Sequence, residues 1–586
     1  MKLQKLTEKR WFWPALCAVS VVFGWWYLSI TTCAPLGGDD ELINLQNYYY
    51  ITHTSFGQSV LDYLGDLWVQ FTLQNGRFRP FSSPPVRGLT SWFLGDLVGY
   101  RLYILAWTYA DIVLTAWLVG KASRSKKLGI ACLCLLPMMF SVWQDSTGNS
   151  LYSYGALVQS TLLPALVAGL AVLCWQDTGH KRWAVLAGYC AFQCCATFEI
   201  GFTYIVPIFG LAWLYTDKAR AALRLAVPVF LGECVTLAFN MGARLANTLR
   251  AAGILAGDVQ GIDGISPNFD IPALLRTWLM QMSAGFPLNA MLAGRVRPGS
   301  IHPADVLCGV MVAGAAVAAL AALDTLPNKK QNLLLFLTGL AMLSAPALLI
   351  GLSPKYQQPG QVDWRHGYIP QTVESYGVGL MALAVLIALL RWARGKAWWP
   401  KRRTVLYALL AVCMAGSVIW QRAATRSAYE AGGRAYTVFG EGVAAGLADA
   451  ADTDTPVVTD FMIWGGHPVA ENAFFLRYHD QDADAHALQV WRTEEHADDE
   501  AVYRLGFTLG QDKHYDIAWC GLGYSANPDA LTDVTVCLPA GTAQYAVLYY
   551  TTADGEQKRT EVYADKETTL LTLTGETILA DSIRLE

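Results

Sequence analysis

The chain has 586 residues; 54% of them are of the AVILMFWYC set, only 15% are charged, and 21 are tryptophan. Soluble domains carry about 25% charged residues, so the composition excludes a string of soluble domains, and equally a disordered, collagenous or disulfide-scaffold chain. The net charge of −4 divides unevenly: residues 1–420 hold 32 Lys+Arg and 20 Asp+Glu, residues 421–586 hold 11 and 27.

A basic membrane part therefore precedes an acidic, water-soluble part. An acidic domain is a poor nucleic-acid binder, because that affinity comes from Lys and Arg on phosphates. Eleven of the 13 cysteines lie at or before Cys413, mostly inside apolar runs, and none shows zinc-type spacing.

The first apolar run, 11–31, follows Lys2, Lys5, Lys9 and Arg10. It is longer than a signal-peptide core and has no small-x-small cleavage site, so it reads as a retained span with its N-terminus inside. Further runs at 100–120, 128–144, 157–175, 183–198, 200–215, 225–241, 305–323, 332–352, 373–392 and 404–421 bring the expected count to about eleven. The runs 183–198 and 200–215 meet at Glu199-Ile200-Gly201, and reading them as two short spans keeps every inward connection basic. Those connections are 121–127, 180–182, 218–224, 329–330 and 391–403. An odd number of spans places 422–586 on the outer side of the cytoplasmic membrane.

Three outer loops are long. The first, 32–99, opens with Gly37-Gly38-Asp39-Asp40-Glu41 and ends in Asn75-Gly76-Arg77-Phe78-Arg79-Pro80-Phe81; between them, 60–71 has the pattern of an interfacial helix. Loop 242–304 carries Arg244, Arg250, Arg276, Arg295, Arg297 and His302. Loop 353–372 carries Lys355, Tyr356, Arg365 and His366. Asp145 opens another outer loop. After 421 an Ala-rich helix is expected over 423–451, then short strands at 456–460, 535–538, 545–551 and 567–573, with a turn at Asp554-Gly555. Cys520 and Cys537 read either as a disulfide or as two buried thiols.

The outward charges combine carboxylates with Arg and Lys at a lipid–water boundary. A carboxylate can take the proton from a hydroxyl nucleophile. Guanidinium groups hold phosphate oxygens in bidentate pairs. Each residue also has a plainer role: Asp39 and Asp40 can cap a helix, Glu199 can be solvated in its turn, Arg77 and Arg79 can meet lipid headgroups without selectivity, and Arg365 and His366 can be solvated. Asp111 and Glu233 fall inside spans, where structural pairing is expected.

Gly38-Asp39-Asp40-Glu41, Asn75-Gly76-Arg77-Phe78-Arg79-Pro80 and Phe198-Glu199-Ile200-Gly201, set in about eleven spans with a soluble outer tail, resemble the GT-C glycosyltransferases. These are integral membrane enzymes that use polyprenyl-phosphate-linked sugars, among them protein mannosyltransferases, aminoarabinose transferases and oligosaccharyltransferases. The resemblance implies a mostly α, polytopic fold (residues 1–421) with a C-terminal extracytoplasmic, mixed α/β, β-rich domain (422–586). It implies an inverting hexosyl-type transfer to a cell-envelope glycan or a lipid-linked acceptor. The first-loop acid is then the base, Asp40 with Asp39 in support, and Glu199 orients acceptor or sugar. Arg77, Arg79, Lys355 and Arg365 hold phosphate, with His366 beside them. Some members bind a divalent metal through two acidic motifs; Asp145 could be the second here, but it is a single Asp, and a metal-free mechanism is the default. No Gly-rich nucleotide loop is present. The alternatives are a flippase or transporter for lipid-linked saccharides, and a polysaccharide polymerase or ligase using polyprenyl pyrophosphate.

Overall fold

The computed structural model describes residues 9, 11–34, 55, 57–58, 61, 76–82, 97–142, 150–256, 268–293, 296, 299–364, 367–447, 455–459, 490–492, 501–506, 520–527, 530–538, 546–563, 567–579 and 582–585. They form two units: the first holds the described residues up to Thr32 and from Ser55 to Ser427, the second holds Cys33, Ala34 and those from Ala428 onward.

The first unit is helical. Its elements are α1 (Phe12–Leu28), α2 (Leu97–Ala122), α3 (Lys126–Leu135), α4 (Leu157–Thr178), α5 (Lys181–Thr197), α6 (Ile205–Thr216), α7 (Ala219–Ala251), α8 (Ile271–Ala284), α9 (Pro303–Ala321), α10 (Lys329–Leu352), α11 (Gln371–Arg394) and α12 (Trp399–Ala444). Each of the eleven apolar runs contains a helix, and nine helices among the described residues are long and apolar enough to cross a membrane. The other two runs give the shorter α5 and α3; α3 passes into a 3-10 turn, Leu136–Met139, with Pro137 at its start. The chain is thus a multi-pass, mostly α membrane protein. Large apolar side chains such as Phe230, Leu237 and Phe239 on α7, and Leu409 and Val412 on α12, stay exposed on the helices, as lipid-facing surfaces require.

Inside the bundle, α10 and α11 meet through glycine. A Cβ on Gly339 would lie 2.7 Å from the Gly377 carbonyl oxygen, and one on Gly377 would lie 2.6 Å from that of Gly339. Small residues let helix backbones approach where lipid gives no hydrophobic drive.

Side-chain pairs sort the helix ends. Lys121 pairs with Asp177, Lys127 with Asp324, and Lys330 with Asp217. The connections at 121–127, 177, 217 and 324–330 therefore share one end of the bundle, as the alternation of spans requires. Two arginine-rich clusters, around Glu199 and Asp305, lie at the opposite helix ends.

Two boundaries differ from the expected ones. Helix α7 runs to Ala251, ten residues past the expected end, so Arg244 and Arg250 are helical. The Ala-rich helix is not a separate element; it continues α12 without a break, because no proline follows Pro400 until well beyond Ala444.

The second unit carries nine described strands: β1 (Val457–Thr459), β2 (Val490–Arg492), β3 (Val502–Gly506), β4 (Cys520–Asn527), β5 (Ala530–Leu538), β6 (Ala546–Thr551), β7 (Gln557–Val562), β8 (Thr569–Leu579) and β9 (Arg584–Leu585). One sheet runs β2-β1-β3-β4-β5-β8, with β1 parallel to both neighbours and the other pairs antiparallel. The other runs β7-β6-β9. Leu531, Val534 and Val536 of β5 meet Leu548 and Tyr550 of β6 and Ile578 of β8 in one core. The β6–β7 turn falls at Asp554-Gly555, where Gly555 takes φ +85°.

Candidate functional site

The site is built where α5 stops. Phe198 adopts an extended conformation (φ −155°, ψ 141°), and Glu199–Thr203 form a 3-10 turn before α6 begins. The turn is tight at Gly201: a Cβ there would sit 2.8 Å from Cys194 Sγ and 2.9 Å from the Cys194 carbonyl. That break projects Glu199 out of the helical register at the bundle end.

A strap, 76–82, crosses this point. Gly76 takes φ +63°, and its Cβ position faces the Arg244 Cα at 3.3 Å, so only glycine passes α7 comfortably here. The Phe78 amide donates to Asn240 Oδ1 at 3.0 Å, and the Phe78 ring stacks on Phe239 at 4.7 Å. The Phe81 amide donates to the Ala196 carbonyl. These contacts aim the flanking arginines at Glu199.

Arg77 meets Glu199 in bidentate fashion, with Nε to Oε1 at 2.9 Å and Nη2 to Oε2 at 3.2 Å. Arg79 Nη2 donates to Oε2 of the same carboxylate, and its guanidinium lies over the Phe198 ring at 4.7 Å. Arg79 is 8% exposed and its Nε has no hydrogen-bond partner among the described residues. Burial lowers the Arg79 guanidinium from its usual pKa, opposed by Glu199, with Tyr356 also helping to hold the charge. Two guanidiniums on one carboxylate leave a net charge of +1, partly shielded from water. Such a group attracts an anion, because charge interactions strengthen as water is excluded.

Tyr356 lies in the loop after α10. It follows the exposed Lys355, whose Nζ lies 5.8 Å from the Tyr356 ring, and the Tyr356 and Tyr368 rings are 4.4 Å apart. Ser283 Oγ donates to the Trp364 carbonyl at 2.7 Å, and the Tyr368 amide donates to Gln281 Oε1 at 2.8 Å. Both flanks of Arg365-His366 are therefore pinned to α8. Of the expected site residues, Glu199, Arg77 and Arg79 are in direct contact, and Lys355 is exposed in the loop after α10. Asp39, Asp40, Asp145, Arg365 and His366 lie outside the described residues. Among the described residues, no group of three or more His, Cys, Asp and Glu could hold a metal ion.

Sequence reading missed several buried polar residues. Asp305, 0% exposed, accepts from Arg422 Nε at 2.7 Å and from Arg426 at 2.6 and 2.9 Å; Arg422 also donates to the Trp26 and Tyr27 carbonyls. This ties α12 and α9 to the end of α1. Arg101 is buried in α2 and donates to the Tyr152 carbonyl. Glu374 is buried in α11 and accepts from Gln281 Nε2 at 3.1 Å. Each stands inside or beside an apolar run, where an ionisable residue is itself the signal. The expected pairing of Asp111 is not found: neither of its carboxylate oxygens has a partner among the described residues. Glu233 faces the Ile205 backbone amide.

No family model matches the chain, and no curated protein matches it. Among solved structures, ArnT from Cupriavidus metallidurans in the apo state aligns at 15% identity and a TM-score of 0.32, over 84% of this chain and 92% of that one. The functional reading therefore stands on the side chains.

Proposed function

We propose that the chain is a membrane glycosyltransferase of the GT-C type. It would move a sugar from a polyprenyl-phosphate donor to a hydroxyl of a cell-envelope glycan or a lipid-linked acceptor, at the outer face of the cytoplasmic membrane. The observation that carries the reading is the Arg77–Glu199–Arg79 cluster. It is a partly buried group of net charge +1 at the bundle end opposite the lysine-rich connections. The positive-inside rule makes the lysine end cytoplasmic, which turns the cluster outward.

In this reading Asp40, supported by Asp39, takes the proton from the acceptor hydroxyl. The acceptor oxygen bonds to the anomeric carbon as the bond from that carbon to the phosphate oxygen breaks, with inversion. Arg77 and Arg79 take up the charge that develops on the departing polyprenyl phosphate. Lys355, Arg365 and His366 would add further donors to the phosphate. Glu199 is a positioning residue: its two oxygens fix both guanidiniums, and through them it orients donor and sugar. Asp145 would complete a second acidic site if a divalent cation takes part.

The test is a transfer assay with purified protein and short-chain polyprenyl-phosphate sugars, following release of polyprenyl phosphate. The Asp39→Asn/Asp40→Asn double variant should express normally and release none. Undiminished turnover in that variant sinks the assignment of the base. Dispensable aspartates together with an essential Arg365 would point to polyprenyl pyrophosphate donors and a polymerase or ligase. Absence of release from every donor by folded wild-type protein would favour transport of lipid-linked saccharides.

A further inference from the structure

We propose that Cys520 and Cys537 are joined by a disulfide in the mature protein. They are the only cysteines after Cys413. Strand register sets them directly opposite one another, Cys520 on β4 and Cys537 on β5. Directly opposed residues of an antiparallel pair have Cα atoms about 4.5–5.5 Å apart, inside the roughly 4.4–6.8 Å that a disulfide bridges. No backbone movement is needed.

The side chains also share one face of the sheet. The two thiols are hydrogen-bonded to each other. Gly442, near the end of α12, reports both sulfurs at once: a Cβ on it would lie 3.0 Å from Cys520 Sγ and 3.2 Å from Cys537 Sγ. The sulfurs therefore sit side by side under the last turns of that helix. Any larger residue at 442 would press on both. Two cysteines filling space as small hydrophobes would not need to be register partners, nor need a glycine above the pair.

Both residues are 0% exposed, and burial pushes the Cys520 thiol up. The reactive thiolate is scarce once the fold has closed, so the bond forms while β4 and β5 have paired and the end of α12 has not yet covered them. The oxidant is an external disulfide, supplied by a small thiol or a thiol–disulfide oxidoreductase. One cysteine thiolate attacks it, forming a mixed disulfide and releasing one thiol. The second cysteine thiolate attacks the protein sulfur of the mixed disulfide and releases the other. Two protein thiols and one external disulfide thus give one protein disulfide and two external thiols.

The inference does not rest on the proposed transfer chemistry. It bears on location, because such bonds persist in oxidising compartments and are rare in the cytosol. A disulfide here would put residues 428–586 outside by chemistry rather than by counting spans.

The test needs no variant. Cells producing the full chain are quenched in denaturant with N-ethylmaleimide, then reduced, labelled with iodoacetamide, digested and read by mass spectrometry. Cys520 and Cys537 should carry the second label, and a digest made without reductant should contain their two peptides linked. Finding the first label on both, or either cysteine linked to a different partner, overturns the proposal. Gly442→Ala sharpens it: the variant should show more of the first label on both sulfurs, and labelling identical to wild type would remove Gly442 from the argument.

Discussion

The two ends of the helical bundle handle charge in opposite ways. At one end lysines meet aspartates one to one, and two of the three pairs are well exposed: Lys330 and Asp217 are 52% and 67% exposed, Lys127 and Asp324 38% and 61%. At the other end arginines meet carboxylates two to one: Arg77 and Arg79 on a partly exposed Glu199, Arg422 and Arg426 on a fully enclosed Asp305. An exposed lysine pair stabilises by roughly 0–1 kcal/mol, so the first end can exchange its charges freely. A buried carboxylate under two guanidiniums cannot, because losing one partner strands the others. The lysine end marks sidedness. The arginine end either braces the fold or prepares for an anion, and the two arginine clusters separate those roles by burial.

The largest effect is expected where the carboxylate is wholly enclosed. Asp305→Asn leaves Arg422 and Arg426 without their counter-charge. By analogy with other buried pairs this costs about 3–5 kcal/mol. Thermal unfolding in detergent, followed by size-exclusion fluorescence, should show a large drop or no folded peak. A small drop would show that solvent reaches this cluster, and the contrast between the ends would weaken.

Next in size is the partly exposed cluster, where the effect should fall on chemistry. Arg79→Lys keeps the charge but loses the planar fork that pairs with a phosphate. A loss of about 100-fold in kcat/KM, roughly 2.7 kcal/mol, is expected with little change in unfolding temperature. Glu199→Gln should lose less, about tenfold, since the arginines keep their charge and lose only their alignment. Equal losses of stability and activity in both variants would make this cluster a second brace like that at Asp305.

The helical half of this picture was legible in the sequence, as was the membership of the Glu199 cluster; the Asp305 cluster was not. Apolar runs and basic connections mark each span because the bilayer dictates both length and flanking charge. Even the break at Glu199 could be read, from a run too long for one span. The pairwise contacts could not. Arg77 and Glu199 are 122 residues apart, Asp305 and Arg422 117, and no local pattern encodes such meetings. Asp305 stood at the edge of a span and read as part of it. In the second unit, the runs rich in Val, Leu, Tyr and Thr at β5, β6 and β8 announced themselves. Strand β4, Cys-Gly-Leu-Gly-Tyr-Ser-Ala-Asn, did not, because its glycines and small residues suit a loop as well as the middle of a sheet.

The smallest effect should come from the lysine end, and its pH dependence gives the comparison a sign. The hydrogen bond and charge of Lys127 hold the Asp324 carboxyl below its ordinary value, with the Thr325 amide adding to it. A depressed carboxyl stabilises the fold above its unfolded pKa of about 3.9, and that contribution is lost as pH falls through the lower folded value. Asp324 is well exposed, so solvent screens the pair and the whole contribution stays below about 1 kcal/mol. Lys127→Gln should therefore shift the unfolding temperature by a degree or two at pH 7, by less in high salt, and by progressively less as pH falls below the unfolded carboxyl value. The same titration on wild-type protein separates the two ends. Asp305 is 0% exposed and held by Arg422 and Arg426, so the end it braces should be lost only with cooperative unfolding. A gradual loss of stability between pH 5 and pH 3 that disappears in Lys127→Gln would instead assign the acid sensitivity to the lysine end, and would reverse the ranking of the two.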